Sequence, residues 1–219
     1  MKKLFIVANW KSNKLREDID IYTTRFKEES SVEKEIIICP SFTLLYGLKT
    51  LMDKNRLQYK LGAQDISPYE AGAYTGEING KQVREFCEYV IIGHSERRIN
   101  FGENDEMLKE KVKQALANGL TPIYCIQDED TFVPEGVNLI AYEPVSAIGT
   151  GNPDTPENAE KVARVVMSKN TDVRFVLYGG SVTSANVKSF VEQEHISGVL
   201  VGGASLDPDK FADLIKAAS

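Results

Sequence analysis

Leu4-Phe5-Ile6-Val7-Ala8-Asn9-Trp10-Lys11-Ser12-Asn13 decides between two architectures. The run Leu4–Ala8 is continuously apolar, which predicts a strand buried on both faces, as in a parallel sheet. An open doubly wound sheet usually places a glycine-rich phosphate turn after its first strand. No glycine follows here. Asn9 and Lys11 stand there instead, and in a β/α barrel polar residues at the carboxyl ends of strands point into one shared site.

Seven more apolar runs recur along the chain: Ile36–Cys39, Tyr59–Ala63, Tyr89–Ile92, Leu120–Cys125, Leu139–Tyr142, Val173–Tyr178 and Val199–Val201. Helical patterns separate most of them. Asn104 is placed to cap a helix with Asp105 and Glu106 in its first turn. Leu108, Val112, Ala115 and Leu116 share one face of that helix, and Gly119 ends it. Thr155-Pro156, Thr183 and Asp207-Pro208 open three others. Eight strands alternating with helices predict an α/β fold, a compact eight-stranded parallel β/α barrel, as a single domain over residues 1–219. At roughly 27 residues per unit the chain sits near the bottom of the size range for this fold.

Two segments break the rhythm. The connection 64–78 is too long for an ordinary βα loop. It carries Tyr69 and Tyr74 among small residues, poor material for a solvated loop. It either folds back on its own barrel or docks into a second subunit, and the residues leave both readings open. Between Cys125 and Glu143 only about ten residues remain for a crossover that normally needs a dozen and a helix. Pro134 and Gly136 oppose a full helix there. The helix after strand five is therefore expected to be shortened or absent, with Phe132 and Val133 covering the bared strands.

The 219 residues are 42% hydrophobic and 26% charged, with a net charge of −6. A nucleic-acid binder normally shows a basic surplus, so that class is set aside. An anionic ligand must be met by local cations or backbone amides. Three scattered cysteines and two histidines make neither a disulfide framework nor a structural zinc site, so no metal is expected and a reducing compartment is. The apolar start is broken by Asn9 and Lys11 before it reaches signal-peptide length, and no run is long enough to cross a bilayer. A soluble cytoplasmic protein is expected, without a membrane partner.

Strand ends read in order place Asn9 and Lys11, then His94-Ser95-Glu96, Cys125, Glu143, Gly179-Gly180-Ser181 and Gly202-Gly203 at one mouth. Lys11 alone would be an ordinary surface lysine; its strand-end position raises it. His94 closes an apolar run and begins a helix at Ser95, and a helix N-terminus disfavours imidazolium. A neutral ring there can donate a hydrogen bond. Glu143 is either an ion-pair partner or a base, and Pro144–Gly151 reads as a small apolar lid beside it. His195, in the polar run Glu192-Gln193-Glu194, is read as a surface residue. The two glycine-rich turns after the last two strands match the usual phosphate site of barrel enzymes, where backbone N–H groups approach an anion closely.

These residues resemble the triosephosphate isomerase family. The matching segments run in family order over nearly the whole chain: Ala8-Asn9-Trp10-Lys11, Gly62-Ala63-Gln64-Asp65, Ala73-Tyr74-Thr75-Gly76-Glu77, Ile92-Gly93-His94-Ser95-Glu96-Arg97-Arg98, Ala141-Tyr142-Glu143-Pro144-Val145, Ala147-Ile148-Gly149-Thr150-Gly151, Tyr178-Gly179-Gly180-Ser181 and Leu200-Val201-Gly202-Gly203-Ala204-Ser205-Leu206. The resemblance implies cofactor-free interconversion of dihydroxyacetone phosphate and D-glyceraldehyde 3-phosphate. It makes Glu143 the base that moves a proton between neighbouring carbons, and a neutral His94 the group that polarises the carbonyl. Lys11, helped by Asn9, holds the phosphate and the enediolate charge. Glu96 and Ser95 support the site, and amides around Gly149, Ser181, Gly202 and Gly203 grip the phosphate. The use of a glutamate base, a neutral histidine and a closing loop is the family's well-known pattern. The family also forms homodimers in which the loop after strand three, here 64–78 with Thr75 at its tip, enters the neighbour's site.

Several positions depart from the family pattern. Ser146 replaces a common tryptophan in the lid, Asn152-Pro153-Asp154 replaces Lys-Thr-Ala, Gln127-Asp128 replaces Gly-Glu, and Ser12 replaces a larger residue. Two other readings compete: a sugar-phosphate epimerase, whose metal ligands one mouth histidine would serve poorly, and a barrel that only binds partners, which would have no reason to keep Lys11, His94 and Glu143 together.

Overall fold

The computed structural model describes residues 2–144 and 153–218. Eight strands alternate with helices: β1 (Leu4–Asn9), α1 (Arg16–Arg25), β2 (Lys34–Cys39), α2 (Phe42–Asn55), β3 (Lys60–Ala63), α3 (Gly80–Arg84), β4 (Tyr89–Ile92), α4 (Ser95–Phe101), α5 (Asp105–Ala117), β5 (Thr121–Ile126), β6 (Leu139–Tyr142), α6 (Pro156–Lys169), β7 (Phe175–Tyr178), α7 (Val187–Val191), β8 (Ile196–Val201) and α8 (Pro208–Ala217), with a 3-10 turn at Gly203–Leu206. All neighbouring strands are parallel, and β8 pairs back to β1 to close the barrel. The expected eight-stranded β/α barrel is thus borne out.

Closure explains the continuous apolar runs. Alternate residues of each strand face inward and outward, and both faces are covered. In β1, Phe5 and Val7 join the barrel interior while Ile6 and Ala8 join the layer under the helices. The helices are cut by their caps. Asn104 accepts from the Met107 amide at 2.9 Å to start α5, Thr155 accepts from Asn158 at 3.1 Å to start α6, and Asp207 accepts from Asp209 and Lys210 to start α8. Leu108, Val112 and Ala115 bury one face of α5, each leucine-sized side chain contributing about 1.5–3 kcal/mol. Leu116 is exposed instead, because it lies beside the strip where the next helix is missing. Thr183 opens only a turn, and α7 begins at Val187.

No helix forms between β5 and β6; residues 127–138 cross back as bends and turns. Val133 packs partly against the core and Val137 is buried, but Phe132 is 45% exposed and covers little. The strap is tied by polar contacts: Thr131 Oγ1 accepts from the Gln127 and Asp128 amides, Asp172 Oδ2 accepts from Gly136 N–H at 2.9 Å, and Lys169 reaches Asp130 at 2.7 Å. His195 is half-buried rather than at the surface. Its Nδ1 lies 2.5 Å from Glu160 Oε1 and its amide donates to Glu160 Oε2, which fastens α6 to the start of β8. Among the described residues no helix is long and apolar enough to cross a membrane.

Candidate active site

The carboxyl ends of the strands enclose a cavity of about 400 Å³. Asn9, Lys11, His94, Glu143, Ser181, Gly202 and Gly203, seven of the expected site residues, line it together. Gly149 lies outside the described residues, as does Ser146.

Lys11 leaves β1 with φ +51°, a left-handed conformation that costs a side chain about 1–2 kcal/mol. Its own amide donates to Asn9 Oδ1 at 3.0 Å, and Gln64 Nε2 donates to its carbonyl at 2.9 Å and to that of Cys39 at 2.9 Å. These bonds hold the strained residue, so its Nζ points into the mouth, 2.6 Å from Glu96 Oε1. Gln64 stands in the matching segment Gly62–Asp65, which assigns it no role; its position after β3, level with the other strand ends, is the signal for one. Glu96 therefore touches Lys11 directly, closer than a supporting role implies.

His94 follows Gly93, whose φ of +72° turns the chain off β4 into α4. Its Nδ1 accepts from the Glu96 amide at 3.2 Å. A nitrogen that accepts carries no proton, so the hydrogen resides on Nε2, which lies 2.9 Å from Glu143 Oε1. Oε2 of the same carboxylate accepts from the Ser95 amide at 2.9 Å. Glu143 is only 1% exposed, and both its oxygens are engaged. Glu143 lines the cavity while its two oxygens rest on His94 and on the Ser95 amide. Burial pushes the Cys125 thiol far up, and the adjacent Glu143 adds to this, so the sulfur stays protonated and inert. Arg98, which the segment Ile92–Arg98 carries without a role, ties the mouth from outside: it donates to the carbonyls of Gly93 and Cys125 and to the Tyr124 hydroxyl.

The Gly179-Gly180 turn leaves room where side chains would collide, whereas a Cβ on Gly202 or Gly203 would collide with nothing. A Cβ on Gly179 would lie 2.9 Å from Glu143 Cγ and 3.1 Å from the Tyr142 carbonyl. Beside the main cavity a smaller cleft runs past Ser12, Gln64, Glu96, Arg97 and Phe101. The loop 64–78 leaves the barrel nearby, pinned by Ile66 in the core and by Ser67 N–H on the Ile78 carbonyl. Tyr69 and Tyr74 stack on it at 4.2 Å, half-exposed, and Thr75 stands exposed, away from its own chain's cavity. Potential metal ligands gather elsewhere: Glu160, Glu194 and His195 bring donor atoms within 4.8 Å of one another at the start of β8, where the Lys2 ammonium already faces both carboxylates.

A closed β/α barrel with a carboxylate, an imidazole and an ammonium around one glycine-lined cavity is the layout of a β/α-barrel enzyme. A family profile for triosephosphate isomerase matches residues 4–218. The triosephosphate isomerase of Aquifex aeolicus is 39% identical, over 98% of this chain and 99% of that protein. Those of Dictyoglomus thermophilum and Dehalococcoides mccartyi are 40% and 38% identical, with coverage of 98% or more of each chain. The chain belongs to the triosephosphate isomerase family.

Proposed function

We propose that the protein interconverts D-glyceraldehyde 3-phosphate and dihydroxyacetone phosphate without a cofactor or metal, as a single domain over residues 1–219. Glu143 takes a proton from the carbon beside the carbonyl and returns it to the neighbouring carbon. The carbonyl oxygen gains the charge that leaves that carbon, and preorganised donors must meet it there. His94 has its hydrogen on Nε2 and hands it to that oxygen, then takes one back from the neighbouring hydroxyl, so the enediol forms and collapses with the proton count unchanged. Lys11 supplies positive charge, with Asn9 beside it. Ser181, Gly202 and Gly203, together with Gly149, are assigned to the phosphate, and Ser95 and Glu96 hold Glu143 and Lys11 between turnovers.

The single observation that carries this reading is the His94 Nε2 to Glu143 Oε1 distance of 2.9 Å in a cavity that also holds Lys11. A coupled assay on glyceraldehyde 3-phosphate tests it. Glu143→Gln is expected to lower the rate by about 10²–10⁴, the usual loss for acid–base catalysis. Wild-type turnover by that variant would sink the assignment. The same reading extends to a homodimer, in which the loop 64–78 places Thr75 in the partner's cleft beside Glu96 and Arg97. The exposed Tyr69–Tyr74 stack and the exposed Ile99 and Phe101 nearby support it. Three buried free cysteines suit a reducing cytoplasm.

A further inference from the structure

Behind the mouth, on the outer side of β6 and β7, two phenols, three amide groups and a carboxylate meet. The Tyr142 hydroxyl donates to Asp154 Oδ2 at 3.0 Å, and Asn158 Nδ2 donates to the same oxygen at 2.7 Å. Asp154 Oδ1 accepts from the Thr155 amide at 2.8 Å, at the start of α6. The Asp154 amide in turn donates to the Tyr178 hydroxyl at 2.8 Å, and the Tyr178 ring is stacked on Phe190 with centroids 3.9 Å apart. Burial lifts both phenols, Tyr178 to about 12 and Tyr142 further with help from Asp154, so each keeps its proton at neutral pH.

The position of this cluster in the chain gives it its meaning. Tyr142 and Tyr178 are the last residues of β6 and β7. Glu143 follows one and the glycine turn follows the other, and the two ends are joined by Gly179 N–H on the Tyr142 carbonyl at 2.7 Å. Both Glu143 oxygens are engaged by His94 and Ser95, so the carboxylate must swing to act. A side chain that swings lands in a defined place only if the backbone it swings from is fixed. Inside the barrel the Glu143 amide donates to the Ile126 carbonyl at 2.8 Å, while its carboxylate rests on the contacts it must release. A second anchor lies outside, one residue back, where Tyr142 is tied to Asp154.

We propose that Asp154 is a positioning residue for the isomerisation: its carboxylate, through the Tyr142 hydroxyl, fixes the backbone from which Glu143 moves between its resting contacts and the substrate. This rests on Glu143 being the base. Removing the tie loosens that pivot while leaving the phosphate turn, which meets Asp154 only through its backbone amide. The effect therefore falls on kcat and spares KM.

The experiment uses full-length Asp154→Ala, Asp154→Asn, Tyr142→Phe and the Asp154→Ala/Tyr142→Phe pair, assayed on glyceraldehyde 3-phosphate with inorganic phosphate as competitive inhibitor. Asp154→Ala and Tyr142→Phe are each expected to lower kcat about 10- to 100-fold, the cost of misplacing a reacting group by up to an ångström. KM and phosphate inhibition stay within about twofold. The pair is expected to be no worse than Asp154→Ala alone, because that change already removes the Tyr142–Asp154 bond. Asp154→Asn, which keeps an acceptor, recovers most of the rate. Wild-type kcat in folded Asp154→Ala, losses that multiply in the pair, or a change confined to KM and phosphate inhibition would each overturn the proposal. Should Asp154→Ala not fold, Tyr142→Phe, which loses a single oxygen, decides alone. Glu143→Gln in the same assay separates the two readings: if it stays active the base is misassigned, and if it is dead while Asp154→Ala is normal only the positioning role fails.

Discussion

At the scale of single residues the mouth is built from conformations that most side chains avoid and from spaces that only glycine leaves. Lys11 sits in the left-handed region because Asn9 and Gln64 bind its amide and carbonyl. His94 holds one tautomer because a helix amide occupies its other nitrogen. Gly179 is required for room, since a methyl there meets Glu143 Cγ at 2.9 Å with the Tyr142 carbonyl behind it. Gly179→Ala is therefore expected to push the proposed base aside and lower kcat roughly 100-fold. Steady-state kinetics check this, and an unchanged kcat would mean that Glu143 works from another position. The strand-end reading found Asn9, Lys11, His94 and Glu143 because position along a strand is a local property. It passed over Gln64, Arg98 and Asp154, whose roles come from hydrogen bonds made to residues distant in sequence.

Elements carry the next level. Under the loop 64–78 lies a cluster of four charges: Lys111, 3% exposed, binds Asp65 at 2.6 Å and Glu103, while Arg97 binds Asp65 at 2.8 Å and Glu103 at 2.6 Å. It joins α5 and α4 to the root of the loop. Burial holds the Asp65 carboxyl above its usual range against the pull of Lys111. An acid whose folded value is raised binds its proton more readily in the native state, so it contributes stability that is lost as pH rises from the ordinary carboxylate range through the raised value. Lys111→Met leaves the buried Glu103 and the partly buried Asp65 short of a partner and is expected to cost about 3–5 kcal/mol at neutral pH. The deficit should shrink as pH falls and Asp65 takes up its proton. Thermal midpoints measured between pH 4 and 8, as working limits near the reference carboxylate values, check both the loss and its slope; a deficit independent of pH would contradict it. None of this cluster was visible in sequence, because its members are scattered between residues 65 and 111. The elements themselves were far more legible. Seven of the eight strands overlap their apolar runs closely because both faces are buried, and β8 extends back to Ile196, where Ser197 and Gly198 dilute the signal.

For the whole molecule, the proposed assembly is the level at which the site is completed. The loop 64–78 ends in a stacked tyrosine pair that nothing in its own chain covers fully, and such apolar surface invites a second copy. Sedimentation should give twice the chain mass of 24.4 kDa. Tyr74→Glu, which puts a charge into the stack, is expected to yield monomers with kcat lowered by at least about tenfold, the scale of a misplaced active-site group. A wild-type protein that sediments as a monomer with full activity would remove the loop from the mechanism. The missing helix after β5 was legible from Pro134, Gly136 and the short gap. Its replacement was only partly so, since Phe132 faces solvent and the strap is held by Thr131, Asp172 and Lys169.

That strap has a mechanical meaning. β5 and β6 keep their paired register, Ile123 with Leu139 through Ile126 with Tyr142, beneath a cover one chain thick. The ring of strands acts as a hoop that carries its load around its own circumference, and the outer helices serve as cladding. Cladding can be exchanged plank by plank, so foreign chain is expected to be tolerated in the strip past the carboxyl end of β5, around the exposed Phe132 and Glu135.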